Sequence, residues 1–332
     1  MTQPVQIRLA RRPEGVADAS TWSVTHDEGR APGEGEIRLA VTHISLDPAM
    51  RGWISDARSY MPPVGIGDVM RAIGVGEVTA TASDRFRVGD MVMGLTGVQT
   101  DATVLARDFN RIEPSLAPPE TFLGGLGMPG LTAYFGLLDL GKPEPGQTVV
   151  VSAAAGAVGG VVGQIAKIKG CRVVGLAGGP EKCRYVVEEL GFDACIDYRA
   201  GALHEQLKAA CPDRIDVYFD NVGGEILEAC LGLLAQRARV VICGAISQYN
   251  STEGMRGPAN YMSLLVNRAR MEGFMVFDYQ KQFPAAVMEM AGWVAAGKLR
   301  FREHVVDGIE SFPTAFNMLF TGQNFGKLVI RV

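Results

Sequence analysis

The stretch Ser152-Ala153-Ala154-Ala155-Gly156-Ala157-Val158-Gly159-Gly160 decides the fold. It follows a β-branched run, Thr148–Ala153, and opens a run of helical spacing, Val158–Lys169. Strand, glycine turn and helix in that order are the context a dinucleotide fingerprint requires. Against G-x-G-x-x-G the stretch reads Ala154-x-Gly156-x-x-Gly159, with alanine in the first place. Gly156 would let the backbone approach a pyrophosphate, and Gly159 would let the helix pack closely on the strand. The helix start then offers N–H groups and a partial positive charge to the diphosphate. The alternative for the same glycines is a packing seam without ligand.

Upstream, Gln147–Ala166 is uncharged over twenty residues, long enough to raise a membrane span. Its glycines and its division into a β-branched and a small-residue part favour a buried strand running into a buried helix. Downstream, the strand Arg172–Ala177 ends in Gly178-Gly179-Pro180, with no acid at its tip. NAD-type sites use an acid there to hold the ribose 2′-hydroxyl. Here Glu181, Lys182 and Arg184 follow, and a cation without the acid suits the 2′-phosphate of NADP(H). An ordinary solvated helix face would explain the cations but not the missing acid.

Farther out, strand and helix patterns alternate. Ala194–Asp197, Asp216–Asn221 and Val240–Cys243 read as strands, and Glu181–Leu190, Leu203–Ala210 and Ile226–Leu234 as helices. Leu131–Leu140 and Pro284–Gly297 are also helical in spacing. This alternation predicts an α/β fold, a doubly wound parallel sheet of Rossmann type. The first ~120 residues differ, with short strand runs at Glu36–Ile44, Gly74–Ala80 and Met91–Leu95 between turn signals. The closing strand Lys327–Val332 is expected to return to that β-rich part. The expected division is therefore a domain of residues 1–125 and 296–332 with a nucleotide domain, 126–295, inserted in it.

The chain has 332 residues and a net charge of −4. Nothing in that balance asks for nucleic acid or an anionic membrane, which need a basic surface. Glycine, 41 residues or about 12%, exceeds the usual ~7% and suggests tight turns and close backbone approach. The cysteines Cys171, Cys183, Cys195, Cys211, Cys230 and Cys243 make no C-x-x-C, so no zinc lobe or redox pair is expected. Scattered thiols and an N-terminus without a signal-like apolar run point to the cytoplasm.

In these segments the chain resembles the zinc-independent medium-chain dehydrogenase/reductases. Within them it is similar to the branch of leukotriene B4 dehydrogenase/prostaglandin reductase, plant double-bond (2-alkenal) reductases and bacterial curcumin-reductase-like enzymes. The matching blocks are Leu46–Arg51, Gly127–Gly136, Ala153–Gly159, Phe219–Gly224, Cys243–Asn250, Arg270–Phe274 and Gly322–Lys327. The resemblance implies a GroES-like domain beside the Rossmann domain, a homodimer, and NADPH-dependent reduction of a double bond conjugated to a carbonyl. It further implies that Gly156, Ala157, Val158 and Gly159 meet the pyrophosphate, and Lys182 and Tyr198 the 2′-phosphate. By the same resemblance Asn221 and the turn of Cys243, Gly244, Ala245, Ile246, Ser247 and Tyr249 line the cofactor. Phe274, Met275 and Val276 lie by the nicotinamide, and Asn324 closes over the cofactor. A zinc site is not expected: no cysteine precedes Cys171, and His43 is the lone histidine between residues 27 and 203.

Such a reaction needs a donor where enolate charge develops and a proton for the α-carbon. Tyr60 and Tyr261 are the candidate catalytic residues, with structural packing as the alternative for each. Animal and plant relatives carry a tyrosine where this chain has Val266, so no donor role transfers to that position. Arg51 could steer an anionic substrate, although a structural salt bridge is the favoured reading. The rival functions are a quinone oxidoreductase of the same superfamily and a non-catalytic NADPH-binding sensor.

Overall fold

A computed structural model describes residues 3–27 and 29–332. The chain divides into two compact units, Met1–Leu123 with Glu303–Val332, and Gly124–Arg302. The first unit is thus assembled from both ends of the chain, and the second is inserted in it.

The leading segment carries β1 (Val5–Leu9), β2 (Trp22–His26), β3 (Glu36–Leu46), β4 (Ile73–Thr81), β5 (Met91–Leu95), β6 (Asp101–Leu105) and β7 (Asn110–Arg111). The insert carries β8 (Thr148–Ser152), β9 (Arg172–Ala177), β10 (Ala194–Asp197), β11 (Ile215–Asp220), β12 (Leu234–Ile242) and β13 (Arg270–Gly273). The returning segment adds β14 (Glu303–Asp307) and β15 (Lys327–Arg331).

In the first unit the sheet runs β14-β15-β3-β4-β5-β7, with β6 also paired to β3. Alternation along β3 buries Ile37, Leu39 and Val41, as a strand with one core face should. Ile7, Leu9, Ile44, Leu46, Phe312 and Phe316 belong to one core cluster, where Trp22 meets Phe312 edge-on at 4.9 Å. Lys327, 3% exposed, ties the start of β15 to the end of β3. Its Nζ donates to Leu46 O at 2.7 Å and to Asp47 Oδ1 at 2.6 Å. Burial lowers the Lys327 pKa, and the Asp47 carboxylate opposes that shift.

In the second unit β10-β9-β8-β11-β12-β13 form a wholly parallel sheet. All of β8 is buried, which is why its sequence is a continuous apolar run rather than an alternating one. The uncharged stretch from Gln147 resolves into β8 and the helix Gly159–Ile168. No helix among the described residues is long and apolar enough to cross a membrane. Inside the Gly159–Ile168 helix, a Cβ on Gly163 would fall 1.8 Å from the Phe192 ring, so only glycine admits that contact.

Two expectations need correction. The helix expected over 226–234 spans Gly224–Leu231, and Leu234 instead begins β12, pairing with Ile215. Tertiary pairing overrides the helical spacing of one leucine. The segment 131–140 is helical as expected, but the α-helix Met128–Phe135 passes into π-type turns over Gly136–Gly141.

Candidate functional site

The insert's strand order is that of a dinucleotide-binding sheet, with its reversal between β8 and β11. Ligands of such sheets bind beyond the carboxyl ends of the strands at that point. Five of the expected segments leave these ends: 153–158 after β8, 178–182 after β9, Tyr198 after β10, 221–224 after β11 and 243–249 after β12.

After β8 the chain turns back on itself. Gly156 N–H donates to Ala153 O at 2.9 Å, and Gly160 N–H to Gly156 O at 3.0 Å. Ala153 takes a left-handed φ of 51°. A Cβ on Gly159 would lie 2.3 Å from Ala153 O and 3.0 Å from Ser152 O. Glycine therefore lets the helix begin directly against the strand. Val158, at the cap position, has no side-chain acceptor for the helix's first N–H groups. An uncapped start behind a bare turn fits a diphosphate.

The tip of β9 has the makings of a second anion subsite. A Cβ on Gly178 would meet Tyr198 Oη at 2.8 Å and Arg199 Nε at 2.9 Å, so phenol and guanidinium lie against the same bare backbone. Lys182, half-buried in the helix Pro180–Glu188, has its pKa lowered by burial first and by the Arg199 charge second. Asp197 Oδ1 accepts from Gly179 N–H at 2.8 Å and from Arg199 N–H at 3.0 Å. That acid clips the turn together. Arg199 is a residue the sequence reading passed over; its signal was a cation directly after Tyr198, facing a strand tip without an acid.

Beyond β11 and β12 the two strand ends zip together. Cys243 and Gly244 N–H donate to Asp220 O at 2.9 and 3.1 Å, Ile246 N–H to Asn221 O at 3.2 Å, and Ser247 Oγ to Val222 O at 2.6 Å. Asn221 is held from both sides, its N–H on Ser152 Oγ and its Nδ2 on Ser152 O, each at 2.8 Å. Tyr249 Oη accepts from Ala245 N–H at 3.2 Å. Burial pushes the Cys243 thiol up to about 12. Beneath this turn Asp220 Oδ1 accepts from Tyr218 Oη at 2.7 Å, Gly223 N–H at 2.9 Å, Val222 N–H at 3.0 Å and Ser152 Oγ at 3.3 Å. Three of these donors lie within three residues of Asp220 and the fourth comes from the end of β8, and it is that fourth, Ser152, that sequence spacing does not show.

Phe274 leaves β13, with Met275 half-buried and Val276 buried behind it. A Cβ on Gly136 would reach the Phe274 ring at 2.5 Å and Phe219 at 2.8 Å, which accounts for the glycine closing the Gly127–Gly136 block. Tyr261 is 58% exposed, and Val266 is 70% exposed.

The first unit holds the remaining candidates. Tyr60 is 50% exposed, and its Oη accepts from Trp53 Nε1 at 3.1 Å, which orients the ring. Asn324 Nδ2 donates to Gly326 O at 3.1 Å in the turn before β15. Arg51 is 7% exposed and donates to Gly15 O at 2.9 Å and Pro13 O at 3.4 Å, so it holds a loop of its own unit. His43 Nδ1 lies 3.0 Å from Thr42 Oγ1 on β3. Among the described residues no group of three or more His, Cys, Asp or Glu could hold a metal ion.

Comparison with known proteins agrees with this geometry. Residues 5–112 match the family described as N-terminal domain of oxidoreductase, and residues 157–292 the family described as Zinc-binding dehydrogenase. The chain is 45% identical over 329 residues to the NADPH-dependent curcumin reductase of Escherichia coli (strain K12), covering 98% of this chain and 95% of that one. It is 39% identical to the 2-alkenal reductase (NADP(+)-dependent) of Nicotiana tabacum, covering 90% and 88%. A crystal structure of CurA in complex with NADPH from Vibrio vulnificus matches with a TM-score of 0.94 and 45% identity, covering 99% of each chain.

Proposed function

The chain belongs to the zinc-independent medium-chain dehydrogenase/reductases, in the branch of curcumin, prostaglandin and 2-alkenal reductases, and on that premise we propose that it reduces the carbon–carbon double bond of α,β-unsaturated aldehydes and ketones with NADPH. The observation that carries this reading is likeness along 98% of the chain to a curcumin reductase. The bare turn after β8 and the cations at the tip of β9 support the cofactor half of it.

Bound NADPH supplies a hydride to the β-carbon of the conjugated system. The chain's own part is to hold and to donate. Gly156, Ala157, Val158 and Gly159 hold the pyrophosphate at the uncapped helix start, and Lys182 and Tyr198 hold the 2′-phosphate. Asn221, the Cys243–Tyr249 turn and Phe274–Val276 line the rest of the cofactor. The substrate's carbonyl oxygen gains negative charge and needs a hydrogen-bond donor, and its α-carbon needs a proton. Tyr60 and Tyr261 are our candidates for these roles, because each carries an exposed phenol that can reach solvent and ligand. Free thiols fit a reducing compartment, and we place the protein in the cytoplasm. A homodimer is our reading of the assembly, supported by the outer edge of β13, whose four residues are all exposed.

The test is NADPH consumption with a panel of 2-alkenals, enones and quinones, product masses recorded and NADH run in parallel. A gain of two hydrogens across the C=C bond is the expected result. Turnover of quinones alone, or binding of NADPH without any turnover, would overturn it. Replacing the donor tyrosine by phenylalanine should lower kcat about 100-fold or more, the scale of general acid catalysis. A loss of less than about threefold for both Tyr60→Phe and Tyr261→Phe would overturn both assignments.

A further inference from the structure

The bare backbone at Gly178 draws two side chains to the tip of β9, and one of them, Arg199, has no part in the function as stated so far. Its guanidinium stands 5.8 Å over the Tyr198 ring, so the phenol limits where its fork can point. The tip thus brings a planar cation and a phenol against one glycine, with the Lys182 ammonium near enough to feel the Arg199 charge. A guanidinium grips phosphate through paired N–H groups in a fixed plane, whereas an ammonium acts as a point charge.

We propose that Arg199 is the residue that sets the preference for NADPH over NADH, by holding the 2′-phosphate beside Lys182 and Tyr198. This rests on the NADPH reading above and deepens it. A ribose with a free 2′-hydroxyl gives Arg199 nothing to grip, so its loss should fall on one cofactor alone.

The test uses two cofactor fragments that differ only in the 2′-phosphate, 2′,5′-ADP and 5′-AMP, titrated calorimetrically into the full chain. The wild type should bind 2′,5′-ADP the more tightly. Arg199→Ala should lose about 10- to 100-fold of that ratio, the range for charged hydrogen bonds, with 5′-AMP affinity held within about twofold. Unchanged 5′-AMP binding also reports that the variant is folded. Arg199→Lys should recover only part of the ratio, since it restores charge without the fork. A ratio kept in full by Arg199→Ala, or equal loss for both fragments, overturns the assignment of Arg199 and leaves the NADPH reading standing. A wild type that binds both fragments alike overturns both.

Discussion

Asp220 is 1% exposed, and four donors meet at its Oδ1. Burial still raises its pKa above the ordinary carboxylate value, because desolvation outweighs those hydrogen bonds. The folded chain therefore binds this proton more tightly than the unfolded chain does. The stabilising share is complete below the unfolded pKa and is lost as pH rises through the folded one. Asp220→Asn cannot ionise and keeps an Oδ1 acceptor. Urea unfolding across a pH series should show wild-type stability falling more than the variant's as pH rises from about 4. Parallel profiles would mean that Asp220 does not carry the shift. Asp220 and Arg199 share a reason for escaping notice in the sequence. Arg199 matters through the bare backbone of another strand end, at Gly178, and Asp220 through a turn that aims three nearby donors and the distant Ser152 hydroxyl at one oxygen; neither leaves a periodic signal. Gly156 and Gly159 were legible because their use is local, within one turn.

The turn after β8 and the helix behind it act as one element. Gly159→Ala would drive a methyl into Ala153 O and Ser152 O, both backbone atoms fixed by the sheet. We expect it to cost about 1–3 kcal/mol, as overpacking does, and to weaken NADPH binding about tenfold or more. One residue on, a Cβ at Gly160 meets the flexible end of Leu190 at 3.2 Å. Gly160→Ala should stay within about 1 kcal/mol of wild type, since helix propensity offsets the contact. Thermal unfolding and fluorescence titration of NADPH would check both, and equal effects would remove the special place of Gly159. At this scale the buried strands and their helices were readable, since burial prints apolar runs and helical spacing. β13 was not: all four of its residues are exposed, so it has neither an apolar run nor alternation. Leu234 was assigned to the wrong element because an apolar residue after Gly232 continues the helical spacing while its partner, Ile215, lies nineteen positions away.

The whole molecule carries an α/β insert in a β-rich unit, and that class was readable because the two kinds of periodicity occupy different parts of the chain. The proposed homodimer is tested at β13, the last strand of the insert's sheet, with Met271 36% exposed. An unpaired strand edge is a template for a second copy unless a net charge blunts it, and on β13 Arg270 and Glu272 face each other at 3.8 Å and leave none. Light scattering should report twice the mass of one chain, and Met271→Lys should weaken self-association about tenfold. A wild-type monomer, or a variant that associates as before, would remove β13 as the interface. The β-rich unit has a temporal consequence as well. Its sheet needs β15 between β14 and β3, and Lys327 to close on Leu46 and Asp47. During synthesis β3 emerges about 280 residues before those partners exist, while every strand of the insert is already out. The inserted half can thus mature on the ribosome, whereas the half that was translated first must wait, the His43–Leu46 end of β3 without its β15 partner, until Lys327–Arg331 leaves the exit tunnel.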